Sequence, residues 1–144
     1  MSVKGSQYIW HNGKMVPWEQ ATVHVLSHAL HYGSSVFEGA RVYGTPDGPR
    51  SFRLGDHLTR MYNSAKLYRM PIPFSQHELD LACQQTVLKN GLHDGAYLRP
   101  IAFRGMAGLG LTAPADSPVE VAVAAVEWGA YLGAEGLRNC VDVC

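Results

Sequence analysis

An arginine on a predicted helix is the first residue whose position suggests chemistry. Arg60 lies off the apolar stripe of its segment, and His57, Arg60 and Ser64 form a separate polar row at i, i+3 and i+7. The planar guanidinium of an arginine can bind a phosphate through two parallel hydrogen bonds. A row of this kind is also typical of a helix face exposed to solvent. The spacing alone leaves both interpretations open.

A tyrosine and an arginine form a second candidate pair on a predicted strand. Tyr97 and Arg99 are two residues apart, so both side chains point to the same face of that strand. An arginine beside a phenol is a plausible binding site for a carboxylate. An edge strand with polar residues facing water is the alternative, and the neighbouring Pro100 permits it.

Three histidines and a glycine-rich loop give weaker signals. His24, His28 and His31 fall at i, i+4 and i+7, but no carboxylate or cysteine completes a metal-binding set, so we expect no metal site. The glycines of segment 105–110 do not follow the dinucleotide-binding pattern and open no helix. We therefore interpret this segment as a flexible loop.

Two helices are predicted between the strands. The first has an apolar stripe, with Gly55-Asp56 as its N-cap and Pro71 as its stop. The second runs from Ser75 to about Asn90, where Ser75 and Glu78 form a capping box. The apolar side chains predicted on the buried faces are Leu54, Leu58, Met61, Ala65 and Tyr68 in the first helix, and Leu79, Cys83 and Val87 in the second.

The remaining apolar segments alternate as strands do. Asn12-Gly13 indicates a tight hairpin, and the cluster 44–49 indicates a second turn. Segment 27–35 is only weakly helical. The predicted strands are 8–11, 14–16, 22–26, 36–43, 50–53, 96–103 and 119–126, the last of them buried on both faces. This order predicts an α+β two-layer domain, with two main helices on one face of a mainly antiparallel sheet.

Composition excludes several classes of protein. The 144 residues are 47% hydrophobic and 17% charged, which is typical of a globular domain, and the formal net charge is zero. A chain with this balance has no electrostatic surface for nucleic acid or an anionic membrane. No apolar run approaches the ~20 residues of a membrane span. The cysteines Cys83, Cys140 and Cys144 show no disulfide or metal spacing, which favours a reduced, cytoplasmic protein.

Four segments, in order along the chain, carry a family resemblance. Residues 28–41 and 52–65 resemble the N-terminal stretch and the first-helix motif of fold-type IV enzymes that use pyridoxal 5'-phosphate (PLP). Tyr97-Leu-Arg-Pro100 and segment 128–133 resemble later motifs of the same family. The resemblance is closest to bacterial branched-chain amino-acid aminotransferases. It implies a small N-terminal domain over 1–127, an interdomain linker over 128–135, and the start of a larger cofactor-binding domain over 136–144.

The resemblance also implies roles for individual residues. Arg60 matches the arginine that binds the PLP phosphate, while Tyr97 and Arg99 match the pair that reads substrate carboxylates. Leu111 and Tyr32 match residues that serve the neighbouring site across a dimer. The implied substrate-binding set is Tyr32, Phe37, Gly39, Tyr97, Arg99, Leu111, Trp128 and Tyr131.

The implied reaction moves the amino group of leucine, isoleucine or valine to 2-oxoglutarate in a homo-oligomer. The family's Schiff-base lysine lies beyond the linker, and none of the four lysines here matches it; the last is Lys89. Segment 137–144 alternates like the start of a strand, so we expect a fragment that is inactive alone. The alternatives are D-amino-acid aminotransferases, which usually carry a histidine where Ile101 stands, aminodeoxychorismate lyases, and a non-catalytic dimerisation module.

Overall fold

The described strands form one antiparallel sheet of seven. The computed structural model describes residues 6–108, 110–114 and 116–129. The sheet order is β2-β1-β7-β6-β4-β5, and β3 also pairs with β6. The strands are β1 (Tyr8–His11), β2 (Lys14–Pro17), β3 (Ser35–Phe37), β4 (Ala40–Thr45), β5 (Gly48–Ser51), β6 (Ala96–Arg104) and β7 (Val119–Glu127). The predicted α+β fold with a mainly antiparallel sheet is confirmed.

Two long helices cover one face of this sheet. They are α2 (Leu54–Leu67) and α3 (Gln76–Lys89), and they follow a short helix α1 (His28–Tyr32) and a 3-10 turn (Trp18–Gln20). The predicted capping box at the start of α3 is present, since Ser75 Oγ accepts the Glu78 N–H and the Glu78 carboxylate accepts the Ser75 N–H. The core between helices and sheet includes the predicted side chains Leu54, Leu58, Met61, Ala65, Leu79, Cys83 and Val87. Burial raises the pKa of the Cys83 thiol to about 12, so at neutral pH this thiol is an inert core group.

The predicted N-cap of α2 and the predicted burial of Tyr68 were wrong. The N-cap is Arg53, in the left-handed region at φ 51°, and Asp56 lies inside the first turn, where its carboxylate accepts a hydrogen bond from Arg53 Nε at 2.6 Å. The helix ends at Leu67, before Pro71. Arg104 of β6 holds the turn after the helix, where it donates to the carbonyl oxygens of Tyr68 and Arg69 at 3.3 and 2.8 Å. Tyr68 lies beyond the helix and is exposed.

The segment before β3 contains a helix rather than the strand predicted over 22–26. His24 closes a turn there: its ring accepts the Leu26 N–H at 3.1 Å and its carbonyl accepts the Ser27 N–H at 2.8 Å. Helix α1 follows and ends at Gly33, whose φ of 65° lies in the left-handed region that glycine adopts at little cost. These local bonds compete successfully with strand pairing.

The single strand predicted over 36–43 is interrupted. β3 and β4 pair with successive parts of β6, and Glu38 and Gly39 lie between them. The Glu38 N–H donates to the Pro100 carbonyl at 3.0 Å. In an antiparallel strand the N–H and C=O of one residue point to the same side, so the N–H that proline lacks would also face Glu38. The interruption therefore lies where β6 has no donor to offer.

Strand β7 is central, and its two faces differ in burial. It lies between β1 and β6, and Val121, Val123 and Ala125 are fully buried against the helices. Ala122 and Ala124 alternate with them and are only half-buried. The predicted burial on both faces therefore holds at the end of the strand, where Val126 on the second face is buried, and is wrong at Ala122 and Ala124.

All described strands and helices lie within the predicted domain, residues 1–127. Apart from Trp128 and Gly129, the predicted linker and the segment 136–144 fall outside the described residues, and those boundaries stay predictions. Within the described part of the chain, every helix is too short or too polar to cross a membrane.

Candidate functional site

The predicted phosphate arginine is paired with a buried carboxylate. Arg60 Nε donates to Glu38 Oε1 at 2.5 Å, and Arg60 Nη2 donates to Glu38 Oε2 at 2.7 Å. The Glu38 side chain is 5% exposed, whereas that of Arg60 is 69% exposed. Two hydrogen bonds to Glu38 therefore hold the guanidinium on its buried side, while much of the Arg60 side chain faces solvent.

A histidine completes this cluster. His57 lies one turn before Arg60 on α2, and its Nδ1 is 3.0 Å from Glu38 Oε2. The hydrogen bond from Arg60, together with that from His57, holds the pKa of the Glu38 carboxyl below its usual value despite burial. Glu38 is therefore ionised at neutral pH. A shallow pocket above the cluster is lined by Arg53, Asp56, His57 and Arg60.

The predicted carboxylate-binding pair lies on the sheet face away from the helices. Arg99 Nη2 donates to the Tyr97 hydroxyl at 2.9 Å. The guanidinium carbon of Arg99 lies 4.3 Å from the centre of the Phe37 ring, within the range of a cation–π contact. β6 is an interior strand, so the alternative of polar residues on an edge strand is excluded for this pair.

Arg99, which lines an apolar cavity, also has one N–H donor without a partner among the described residues. Its Nε is buried and has no hydrogen-bond partner among the described residues. A small cavity of about 120 Å³ adjoins it. The cavity is lined by Ile9, His11, Ala21, Val23, Arg99, Ile101, Phe103, Ala122 and Ala124. A buried polar group without a partner is costly, so this N–H is suited to a ligand acceptor.

Trp128 extends the aromatic cluster. Its ring centre is 5.2 Å from that of Tyr97, and its backbone N–H donates to the Gly95 carbonyl at 3.0 Å. Arg41 of β4 donates to the carbonyl oxygens of Trp128 and Gly129 at 3.1 and 3.3 Å. The end of the described chain is thereby held against the sheet, and Trp128, Tyr97, Arg99 and Phe37 form a continuous series of contacts.

Gly39 is a position that only glycine fits. A Cβ built on Gly39 would overlap the Tyr97 hydroxyl and crowd the adjoining ring carbons. The Tyr97 ring cannot withdraw freely, because it packs on Trp128 and its hydroxyl accepts from Arg99. The glycine therefore permits the close approach of β6 side chains to the β3–β4 interruption.

Replacing Gly39 by alanine is expected to lower the free energy of unfolding by about 1–3 kcal/mol, the usual cost of overpacking. Denaturant titration measures this. Gly55→Ala is the matched control, because nothing lies within 4 Å of its added Cβ and alanine favours a helix. Adding Tyr97→Phe should recover part of the loss, because it removes the overlapping hydroxyl. An unchanged stability in Gly39→Ala would mean that Tyr97 relocates without cost.

The other predicted residues lie elsewhere. Tyr32 is exposed on α1, where its ring packs against those of His28 and His31, and Leu111 is 85% exposed in the loop after β6. Neither takes part in the contacts that join the other described candidates. Tyr131 falls outside the described residues.

The histidine row does not converge on one point. His28 Nδ1 is 2.7 Å from Ser34 Oγ and His31 Nε2 is 2.9 Å from the Val25 carbonyl, while His24 closes the turn before α1. No group of three side chains suited to a metal ion occurs among the described residues. A cavity of about 310 Å³ lies between α3 and the β4–β5 hairpin, and none of the candidate residues lines it.

Glu38 is the site residue that the sequence analysis missed. Its partner Arg60 is 22 residues away, so no local spacing joins them. A signal was present in the strand pattern. Val36, Ala40 and Val42 alternate as buried residues, and Glu38 falls in the same phase. A carboxylate on the buried phase of a strand needs a charged or hydrogen-bonding partner.

Comparison with known proteins finds a matching family model, similar proteins and similar solved structures. Residues 35–143 match the model of the amino-transferase class IV family. The chain is 51% identical over 142 residues to a branched-chain-amino-acid aminotransferase of Escherichia coli K12, a match that covers 99% of this chain and 46% of that protein. The crystal structure of the E. coli branched-chain amino acid aminotransferase superposes with a TM-score of 0.87 at 52% identity over 91% of this chain and 43% of that one. The T.th. enzyme with pyridoxamine 5'-phosphate gives a TM-score of 0.85 and 52% identity over 93% of this chain and 43% of that one. The chain thus spans less than half the length of these relatives.

Proposed function

Since the chain belongs to the class IV amino-transferase family, we propose that it is the N-terminal part of a branched-chain amino-acid aminotransferase. The complete enzyme transfers the amino group of leucine, isoleucine or valine to 2-oxoglutarate, with PLP as its cofactor. Relatives at 50–51% identity with that name support the proposal, as do solved structures at 52%. In this proposal residues 1–127 are the small domain, 128–135 the linker, and 136–144 the start of the larger domain.

The proposed substrates rest on one observation, which is the environment of Arg99. Arg99 has a buried N–H without a partner among the described residues, lines an apolar cavity and lies against the rings of Phe37 and Tyr97. An aminotransferase of this kind must accept a branched aliphatic side chain in one half of its cycle and the side-chain carboxylate of glutamate in the other. The apolar walls suit the first, because burial of such a side chain contributes roughly 1.5–3 kcal/mol. The arginine behind those walls suits the second.

The residues of the chain also fit the phosphate end of the cofactor. Arg60 keeps Nη1 and the second hydrogen of Nη2 free of Glu38, whereas Arg53 in the same pocket is paired with Asp56. Exposed donors of this kind suit the charged phosphate. When bound, PLP supplies the electron sink that stabilises a carbanion at the substrate Cα. Arg60 binds the phosphate and thereby orients the cofactor.

The proposal includes association between subunits. Tyr32 and Leu111 are exposed, and each serves the site of a neighbouring subunit in a homo-oligomer. Val25 and Leu30, which precede Tyr32 along the chain, are 70% and 60% exposed, and apolar side chains of this size are commonly covered by association. In this proposal Tyr131 is a substrate-binding residue, and the Schiff-base lysine belongs to the larger domain. We place the enzyme in the cytoplasm.

The proposal is tested on the complete protein. We expect turnover of L-leucine with 2-oxoglutarate, one pyridoxyl-lysine per subunit after borohydride reduction, and that lysine outside residues 1–144. The 144-residue chain alone is the control, and we expect neither turnover nor a specific adduct on Lys4, Lys14, Lys66 or Lys89. Turnover of D-alanine instead of L-leucine would assign the protein to another branch of the family. A stoichiometric adduct within the 144 residues would overturn the placement of the lysine.

A further inference from the structure

The contact between Glu38 and Arg60 determines the orientation of the guanidinium as well as the local charge. A carboxylate that engages Nε and Nη2 occupies one edge of the planar guanidinium and sets the orientation of its plane. Glu38 is itself held, since its backbone N–H donates to Pro100 at 3.0 Å and His57 contacts its Oε2 at 3.0 Å. The long side chain of Arg60 would otherwise be free to sample many rotamers, because 69% of it is exposed.

The opposite edge of the guanidinium points away from Glu38. It carries Nη1 and the second hydrogen of Nη2, two adjacent donors in the geometry that binds two oxygens of one phosphate. Arg60 lines one pocket together with Arg53, Asp56 and His57. The arrangement divides the arginine into an anchored edge and a recognition edge.

We propose that Glu38 is a positioning residue for the cofactor phosphate: it holds Arg60 so that the free edge of the guanidinium meets the phosphate of PLP. The inference rests on the proposed function. It adds that the buried acid favours phosphate binding through geometry, although its negative charge alone opposes it. Glu38 does not touch the cofactor and acts only through Arg60.

Replacement of Glu38 by glutamine separates geometry from charge. The change makes the site more positive by one unit, so electrostatics alone predicts tighter binding of a phosphate. A glutamine amide also presents an NH₂ group toward Arg60 Nη2 or His57 and cannot accept both hydrogen bonds. We therefore expect the Kd of the complete apoenzyme for PLP to rise about tenfold, as when a charge-assisted contact is misaligned, with little change for pyridoxal, which lacks the phosphate.

Asp56→Asn is the matched control. Asp56 lines the same pocket and its removal changes the charge equally, but its carboxylate pairs with Arg53 and not with Arg60. We expect the Kd for PLP to stay the same or fall slightly. The ratio of the Kd values for pyridoxal and PLP is the decisive readout, because a merely structural defect weakens both ligands together.

The outcomes separate this inference from the proposed function. If Arg60→Ala weakens PLP binding and Glu38→Gln leaves the ratio unchanged or larger, Glu38 is only a counter-ion and the inference fails alone. If the complete protein binds no PLP, the proposed function fails and takes the inference with it. If Glu38→Gln does not fold, Arg60→Lys is measured instead. This variant keeps the positive charge and leaves Glu38 in place, but an ammonium group lacks the two separate hydrogen-bonding edges of a guanidinium. A wild-type ratio in Arg60→Lys overturns the inference, whereas a ratio lowered about tenfold supports it.

Discussion

Replacing Arg60 by alanine in the complete enzyme is expected to weaken PLP binding by at least an order of magnitude. The phosphate carries most of the cofactor's charge, and Arg60 offers it two adjacent donors from an orientation that Glu38 fixes. Truncation also leaves the buried carboxylate of Glu38 without its main partner. Absorbance titration of the apoenzyme with PLP measures the change.

Arg53→Ala is the control for that experiment. Arg53 lines the same pocket but is 66% exposed and pairs with Asp56 at 2.6 Å, so we expect it to change the Kd for PLP by no more than about twofold, as an exposed ion pair contributes little. An Arg60→Ala enzyme with wild-type affinity would remove the phosphate contact from the proposal and return Arg60 to the role of a surface residue.

Replacing Arg99 by alanine is expected to change which substrates are used. We expect kcat/KM for glutamate and 2-oxoglutarate to fall about tenfold or more beyond the fall for leucine. The reason is that only the former pair carries a second carboxylate for the unpaired Nε–H of Arg99. Steady-state kinetics with both donor amino acids gives this ratio directly.

Arg99→Lys provides the comparison for this selectivity. Lysine keeps the positive charge but loses the planar contact with the Phe37 ring and the second donor, so partial recovery for glutamate is expected. Equal losses for leucine and glutamate in Arg99→Ala would show instead that the arginine supports Tyr97 and Phe37 and does not bind substrate.

Elements governed by local rules could be predicted from the sequence. The apolar stripe of α2 and the capping box at Ser75 depend on residues three or four apart. The capping box is present, and the stripe is buried except for Tyr68, which lies beyond the helix. The start of α2 was mispredicted although its determinants are local: Arg53 adopts the left-handed conformation at the N-cap and pairs with Asp56 in the first turn. The turn after α2 depends on a distant residue, since Arg104, which donates to the Arg69 carbonyl, is 35 residues further along the chain.

The site divides in the same way. The Tyr97–Arg99 pair follows from the two-residue period of a strand, but its contact with Phe37 requires the pairing of β3 with β6. The interruption between β3 and β4 depends on Pro100, which lies opposite Glu38 only after the sheet has formed. The contact between Glu38 and Arg60 depends on that same tertiary arrangement. Its only sign in the sequence is an acidic residue at a strand position that alternates in phase with buried residues.

The last residue of β3 and the residue after it point to opposite faces of the sheet: Phe37 contacts Arg99 on one side, and Glu38 contacts Arg60 on the other. Because the side-chain period of a strand is two, deleting or inserting one residue here would exchange an acid for an aromatic ring at both positions. A change of length in segment 35–40 would therefore disrupt both sets of contacts. The exposed β4–β5 turn at 46–47 makes none of these contacts and tolerates insertions or deletions. We therefore expect insertions in the hairpin to leave the site intact and insertions beside Pro100 to disrupt it.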